Sequence, residues 1–165
     1  MQRKKKILAV VLTLIPVLAL MITIFCFSAQ EAVASDRASG GIVSRVITLL
    51  YPHFADITEG EQQRIIHIFT LLVRKGAHLT EYLLLGAALM GHVKAVSACR
   101  SLKHPVLLSY LIGTLYAASD ELHQLFVPGR SGELTDAMLD SLGVLLGVLL
   151  IYFLIRLHHK RRSGA

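Results

Sequence analysis

Long apolar stretches alternate along this chain with shorter polar ones, in a pattern that suits lipid better than water. Crossing about 30 Å of hydrocarbon takes roughly 20 helical residues at about 1.5 Å each, and four stretches approach that size. Residues 7–27 contain no charge; 105–122 are apolar as far as Ala118 and then run into Ser119, Asp120 and Glu121; 137–155 carry one charge, Asp140. Residues 76–93 hold His78 and Glu81 near their start and are otherwise rich in Leu, Ala and Gly. The pattern predicts an all-α membrane protein, a four-transmembrane-helix bundle in which residues 1–165 form a single domain. Between spans one and two, residues 28–75 make an outer segment, where Ile42, Val43, Val46, Ile47, Leu49 and Leu50 draw an amphipathic helical stripe suited to lie on a membrane. Pro52 and the polar run 56–61 interrupt it before an Ile- and Leu-rich helix resumes over 61–73. That second helix either packs on the bundle or leads directly into span two, with Gly76 as a plausible bend.

Charge orients these spans, because cytoplasmic loops and tails retain Lys and Arg during insertion. Arg3, Lys4, Lys5 and Lys6 precede span one, Lys94, Arg100 and Lys103 join spans two and three, and Arg156, Lys160, Arg161 and Arg162 follow span four. These are 11 of the 17 basic residues, whereas all 11 Asp and Glu fall in the outer segments or the outer parts of spans. A multi-pass protein of the bacterial cytoplasmic (inner) membrane is expected, with both N- and C-termini cytoplasmic. Composition agrees: 54% hydrophobic residues and a mean hydropathy of +0.60 are too apolar for an ordinary soluble domain. The net charge of +6 is explained by the membrane surface, since the basic residues flank apolar runs and not a polar, aromatic-bearing face, so no nucleic acid is expected as partner.

Span one begins like a secretory signal, with a basic start, an apolar run and Ala32-Val33-Ala34. Its 21 apolar residues exceed the roughly 7 to 15 of a signal core, so an uncleaved anchor is expected. Cys26 and Cys99 show no paired spacing for zinc, an iron-sulfur cluster or a redox couple, and this topology puts them near opposite faces.

The candidate chemistry lies where charge enters the spans. Arg74, His78 and Glu81 stand at i, i+4 and i+7 on one side of span two, with Lys75 beside them. In span three, Asp120, His123 and Gln124 share a face, and Glu121 borders it. Span four opens with Asp136 and Asp140, followed at helical steps by Gly143 and Gly147, a polar stripe that becomes a small-residue packing surface. From the rise per residue, Glu81 and Asp140 lie about 5 to 8 Å below the outer boundary and Asp120 about 22 Å above the inner one. Three spans thus bring His and carboxylates into one layer in the outer third of the membrane. A charge there costs at least about 2.5 to 3.5 kcal/mol, so pairing, water, a metal or a substrate must compensate. The bland reading is an ion-pair network, such as Arg74 or Lys75 with Glu81, that merely fixes packing. Two histidines and several carboxylates have the donor chemistry for zinc or manganese, but no strict metal motif is present and no metal site is assigned.

Between spans three and four, Pro128-Gly129 sets a tight turn that would hold Arg130 over the layer, where a guanidinium grips a phosphate or carboxylate through paired hydrogen bonds or serves Asp120, Asp136 or Asp140 as counter-ion. Thr135 or Asp136 is the expected N-cap of span four. His53, His67, His92 and His104 read as loop or interface histidines. The tyrosines read as anchors or packing, with Tyr82 and Tyr116 the two close to the layer.

At these residues the sequence resembles the VanZ-like family of bacterial membrane proteins. The resemblance runs through Phe27-Ser28-Ala29-Gln30, Arg74-Lys75-Gly76-Ala77-His78 with Glu81-Tyr82, Asp120-Glu121-Leu122-His123-Gln124, Pro128-Gly129-Arg130-Ser131-Gly132 and Asp136, and ends at Gly143. It implies a compact helical membrane domain, and the namesake is associated with resistance to the glycopeptide teicoplanin; no settled activity or cofactor comes with it. Asp140 stands where the family pattern suggests an amide such as Asn.

The leading expectation is a cell-envelope protein that binds or modifies an anionic envelope lipid or lipid-linked cell-wall precursor. His78, Glu81, Asp120, Glu121 and His123 are the catalytic candidates, with His123 or Glu81 as general base. Arg74, Lys75, Gln124, Arg130, Asp136 and Asp140 are the binding candidates, Arg130 holding the anion. One alternative is a non-enzymatic assembly or binding partner with a structural charge network. Another is a small proton-coupled transporter, whose few spans would require a homo-oligomer.

Overall fold

The computed structural model describes residues 2–130 and 132–163, and the side chains of all of these apart from 32–39. Ser131 of the loop motif lies outside the described residues. Five helices follow in order: α1 Gln2–Ser28, α2 Ala32–Leu50, α3 Glu59–Arg100, α4 Pro105–Gln124 and α5 Leu134–Ser163, with a 3-10 turn at Phe54–Asp56 between α2 and α3. No strand occurs among the described residues.

Local chemistry sets several of these boundaries. α3 starts with a capping box: the Thr58 hydroxyl accepts the Glu61 N–H while the Glu61 carboxylate accepts the Thr58 N–H. It ends at Ser101, whose φ of 52° is left-handed, and Pro105 then opens α4 at a position where its missing N–H costs nothing.

Of the two paths open on sequence grounds, the structure takes the direct one. α3 passes through Gly76 as one helix of 42 residues, about 63 Å long, roughly twice the hydrocarbon thickness. Span two of the sequence reading is its middle section. Lys6 Nζ donates to Ala98 O at 3.1 Å, Thr13 Oγ1 lies 3.2 Å from His92 Nδ1, and Val17 and Ile24 share a core with Leu89, Leu85 and Tyr82, so α1 and α3 run antiparallel. By this register the first third of α3 extends beyond the end of α1. There α2 folds back on it, burying Val43 and Ile47 and leaving Ile42, Leu49 and Leu50 exposed.

Tight packing concentrates between α3 and α5. A Cβ on Gly86 would stand 2.2 Å from Val144 O, and one on Gly147 would stand 1.9 Å from Leu83 O, so the two backbones touch where these glycines sit. Tyr82, Leu85, Leu89, Met90, Val144 and Val148 are fully or almost fully buried there. Around this core, leucines and isoleucines of α1, α4 and α5 face outward, the inverse of a water-soluble surface.

This is a membrane protein in which α1, α3 and α5 are long and apolar enough to cross a bilayer. α4, with 20 residues, is not among these three, and its last turns hold Ser119, Asp120 and Glu121.

Candidate functional site

Four elements meet at the end of the bundle where α1 stops and the α4–α5 loop turns. α3 brings Arg74, Lys75, His78, Glu81 and Tyr82; α4 brings Asp120, Glu121, His123 and Gln124; α5 brings Asp136 and Asp140; the loop brings Arg130. The carboxylates divide into those that are tied down and those that are not.

Glu121 is buried and tied. Its Oε1 accepts Gln124 Nε2 at 3.0 Å and its Oε2 accepts the Glu133 N–H at 3.0 Å, just ahead of α5. A carboxylate at a helix N-terminus meets unpaired N–H groups and the positive end of the helix dipole. Gly132 fits beneath this contact because a Cβ there would lie 2.4 Å from Glu121 O. Asp136 is also tied, as the acceptor of the Lys75 ammonium. The basic partner on α3 therefore reaches α5, not Glu81, which shares its own helix.

Asp120 and Asp140 are different. They are 3% and 0% exposed, and none of their four carboxylate oxygens has a partner of full hydrogen-bond geometry among the described residues, the Tyr82 hydroxyl being the donor that interacts with Asp120. The nearest cationic candidate is His78, whose Nδ1 stands 3.9 Å from Asp140 Oδ2, beyond hydrogen-bond reach. The Tyr82 hydroxyl, His78 Nδ1 and His123 Nε2 are buried and likewise have no partner of full hydrogen-bond geometry among the described residues. Asp120 lies within electrostatic reach of His78, Glu81, Tyr82, Tyr116, Glu121 and Asp140, so the layer is one connected cluster. Unpartnered buried polar atoms are uncommon and costly, so a cluster of them calls for water, a shared proton or a ligand.

Above this layer lies a polar cavity of about 40 Å³ lined by Arg74, His78, Gln124, Gly129, Arg130 and Asp136, with room for water or for the oxygens of a small anion. Gly129 has a φ of 75°, the left-handed conformation that the Pro128-Gly129 turn needs. Arg130 does not simply overhang the cavity. Its Nε donates to Gln30 O at 2.8 Å, one terminal nitrogen to Phe27 O at 3.1 Å and the other to Gln124 Oε1 at 3.4 Å, so it closes the carbonyl end of α1. Arg74 lines the same cavity with no hydrogen-bond or ion-pair partner among the described residues. Glu81 is half-buried and has no hydrogen-bond partner among the described residues. His123 stacks on Phe25 with ring centroids 4.7 Å apart, turning toward α1.

Two residues outside the sequence-derived site belong to this region. Tyr82, one of the two tyrosines expected close to the layer but not assigned to the site, is fully buried one helical turn after His78. Ser28, 1% exposed with an unpartnered hydroxyl, ends α1 beside the carbonyls that Arg130 holds, and no spacing argument signals it. Among the described residues no three His, Cys, Asp or Glu side chains converge as a metal site.

This geometry falls inside a recognisable family. The profile of the VanZ/LLP1 family matches residues 13–156, and the chain belongs to that family. No curated protein and no solved structure matches the chain.

Proposed function

We propose that this VanZ/LLP1 chain is a multi-pass protein of the bacterial cytoplasmic membrane that binds or modifies an anionic envelope lipid or lipid-linked cell-wall precursor at the outer leaflet. In this reading α4 is the fourth crossing, its acidic end screened from lipid by α3 and α5. The basic residues gathered at the opposite end support cytoplasmic termini. Glycopeptide resistance, the association of the family's namesake, is the physiological role to which such a site would contribute.

The proposal rests on the pair of buried carboxylates, Asp120 and Asp140, whose oxygens lack a donor of full hydrogen-bond geometry among the described residues. A purely structural network would be internally satisfied, because burying charge stabilises a fold only when its hydrogen bonds are complete. The tied residues hold the frame: Glu121 fixes the loop, Arg130 fixes α1 and Lys75 joins α3 to α5. Arg74 is the group positioned to receive a phosphoryl oxygen. His78, Asp120 and Tyr82 lie beneath it, where a proton could be delivered or removed.

Thermal unfolding of the purified chain in a neutral detergent tests this. Adding an alkyl phosphate should raise the midpoint of the native protein, and Arg74→Gln should cancel the rise while leaving the ligand-free midpoint within about 0.5 kcal/mol of native. An alkyl phosphate that stabilises neither protein, or both equally, would remove the anion site.

A second reading, a binding or assembly partner, is favoured by the apolar face that α2 leaves open at Ile42, Leu49 and Leu50. Substituting these three by Ser should abolish co-purification of a partner without affecting the alkyl phosphate response.

A further inference from the structure

At the opposite end of the bundle, the first turns of α1 and the last turn of α3 leave a cleft of about 660 Å³ between them. Its walls are Gln2, Arg3, Lys6, Ile7, Cys99 and Arg100. Three of the six are cations, and no Asp or Glu precedes Glu31 or occurs over residues 82–119 to neutralise them. Lys6 donates to Ala98 O and so closes the carbonyl end of α3. Arg3 and Arg100 have no partner among the described residues and remain exposed. Depth is set by Lys6-Ile7, where the basic start of α1 gives way to its uncharged run, the level at which lipid phosphates meet hydrocarbon. Immediately beyond, Ile7, Leu8 and Val11 are exposed on α1, a surface for acyl chains.

We propose that this cleft, walled by Arg3, Lys6 and Arg100, binds the phosphate-bearing headgroup of an anionic phospholipid. The two free guanidiniums grip the phosphate oxygens, Lys6 adds charge while holding α3 in place, and the acyl chains lie along α1. The lipid thereby bridges the ends of two helices that the Lys6 hydrogen bond to Ala98 already joins. This site is separate from the buried carboxylate layer and does not depend on its function.

Cys99 supplies a reporter in the cleft wall, and Cys26, exposed near the other end of α1, supplies a reference. The full chain is placed in nanodiscs of phosphatidylcholine with increasing phosphatidylglycerol, and alkylation of each cysteine by an uncharged maleimide is followed by peptide mass spectrometry. Phosphatidylglycerol should slow modification of Cys99 relative to Cys26. In Arg3→Gln/Arg100→Gln the mole fraction giving half-protection should rise about fivefold for each cation removed, whereas Lys4→Gln/Lys5→Gln, which removes equal charge outside the cleft, should leave it unchanged. Equal effects of the two pairs would overturn the site in favour of general surface charge. Protection by inorganic phosphate in pure phosphatidylcholine would overturn the lipid in favour of a free anion, and no difference between the two lipids would overturn binding altogether.

Discussion

Asp140 and Arg130 show how differently one kind of evidence, a charge at a helix end or in a loop, resolves once its neighbours are known. Spacing alone put Asp140 in a polar layer, and at 0% exposure it is a buried acid with no donor of full hydrogen-bond geometry among the described residues. Asp140→Asn keeps the volume, removes a potential charge and brings two donors toward Asp120 and His78, so the unfolding midpoint should hold or rise. A loss of more than about 2 kcal/mol would mean that the carboxylate has a strong partner after all. Arg130 was legible as a residue that grips oxygens, but not which oxygens: Phe27 and Gln30 lie about a hundred positions earlier and contribute backbone carbonyls, which leave no side-chain signal. Because the fork reaches both carbonyls at once, Arg130→Lys should not substitute for it, and a loss of roughly 1 to 2 kcal/mol is expected in thermal unfolding. Arg74 carries the opposite lesson, since it is distinguished from the tied cations around it by having no partner among the described residues.

At the scale of elements, the apolar runs located α1, the middle of α3, and α5, because length and hydropathy are local properties. Continuity of α3 was not local. Gly76 and the polar residues around it allow either a break or an unbroken helix, and the unbroken helix carries α2 against its projecting part and α1 and α5 against the rest. The Gly143 and Gly147 surface was readable from four-residue spacing, but its partner was not: it packs against the α3 backbone at Leu79 and Leu83. This predicts a contrast within one residue type. Gly147→Ala and Gly86→Ala should force α3 and α5 apart and lower the unfolding midpoint, whereas Gly91→Ala, which meets nothing within 4 Å, should be neutral or stabilise by up to about 1 kcal/mol. Equal responses at all three would contradict the close approach of the two helices.

In the molecule as a whole, one end is held together by the Lys75–Asp136 ion pair and the carbonyl contacts of Arg130, and the other end gathers cations. The proposed orientation assigns these ends to opposite sides of the membrane. In a Cys26→Ser/Cys99→Ser background, Glu31→Cys should react with an impermeant maleimide in intact cells, and Ser163→Cys only after permeabilisation; labelling of both from one side would reject the topology. The central claim, that Asp120 belongs to a working site and not to a structural network, is tested most directly by Asp120→Asn produced at native level in cells lacking the native protein. Envelope lipid composition and glycopeptide susceptibility should then match those of cells without the protein, while the purified variant unfolds at the native midpoint. Unchanged lipids and susceptibility in the correctly inserted variant, in cells where loss of the whole protein alters them, would contradict the claim.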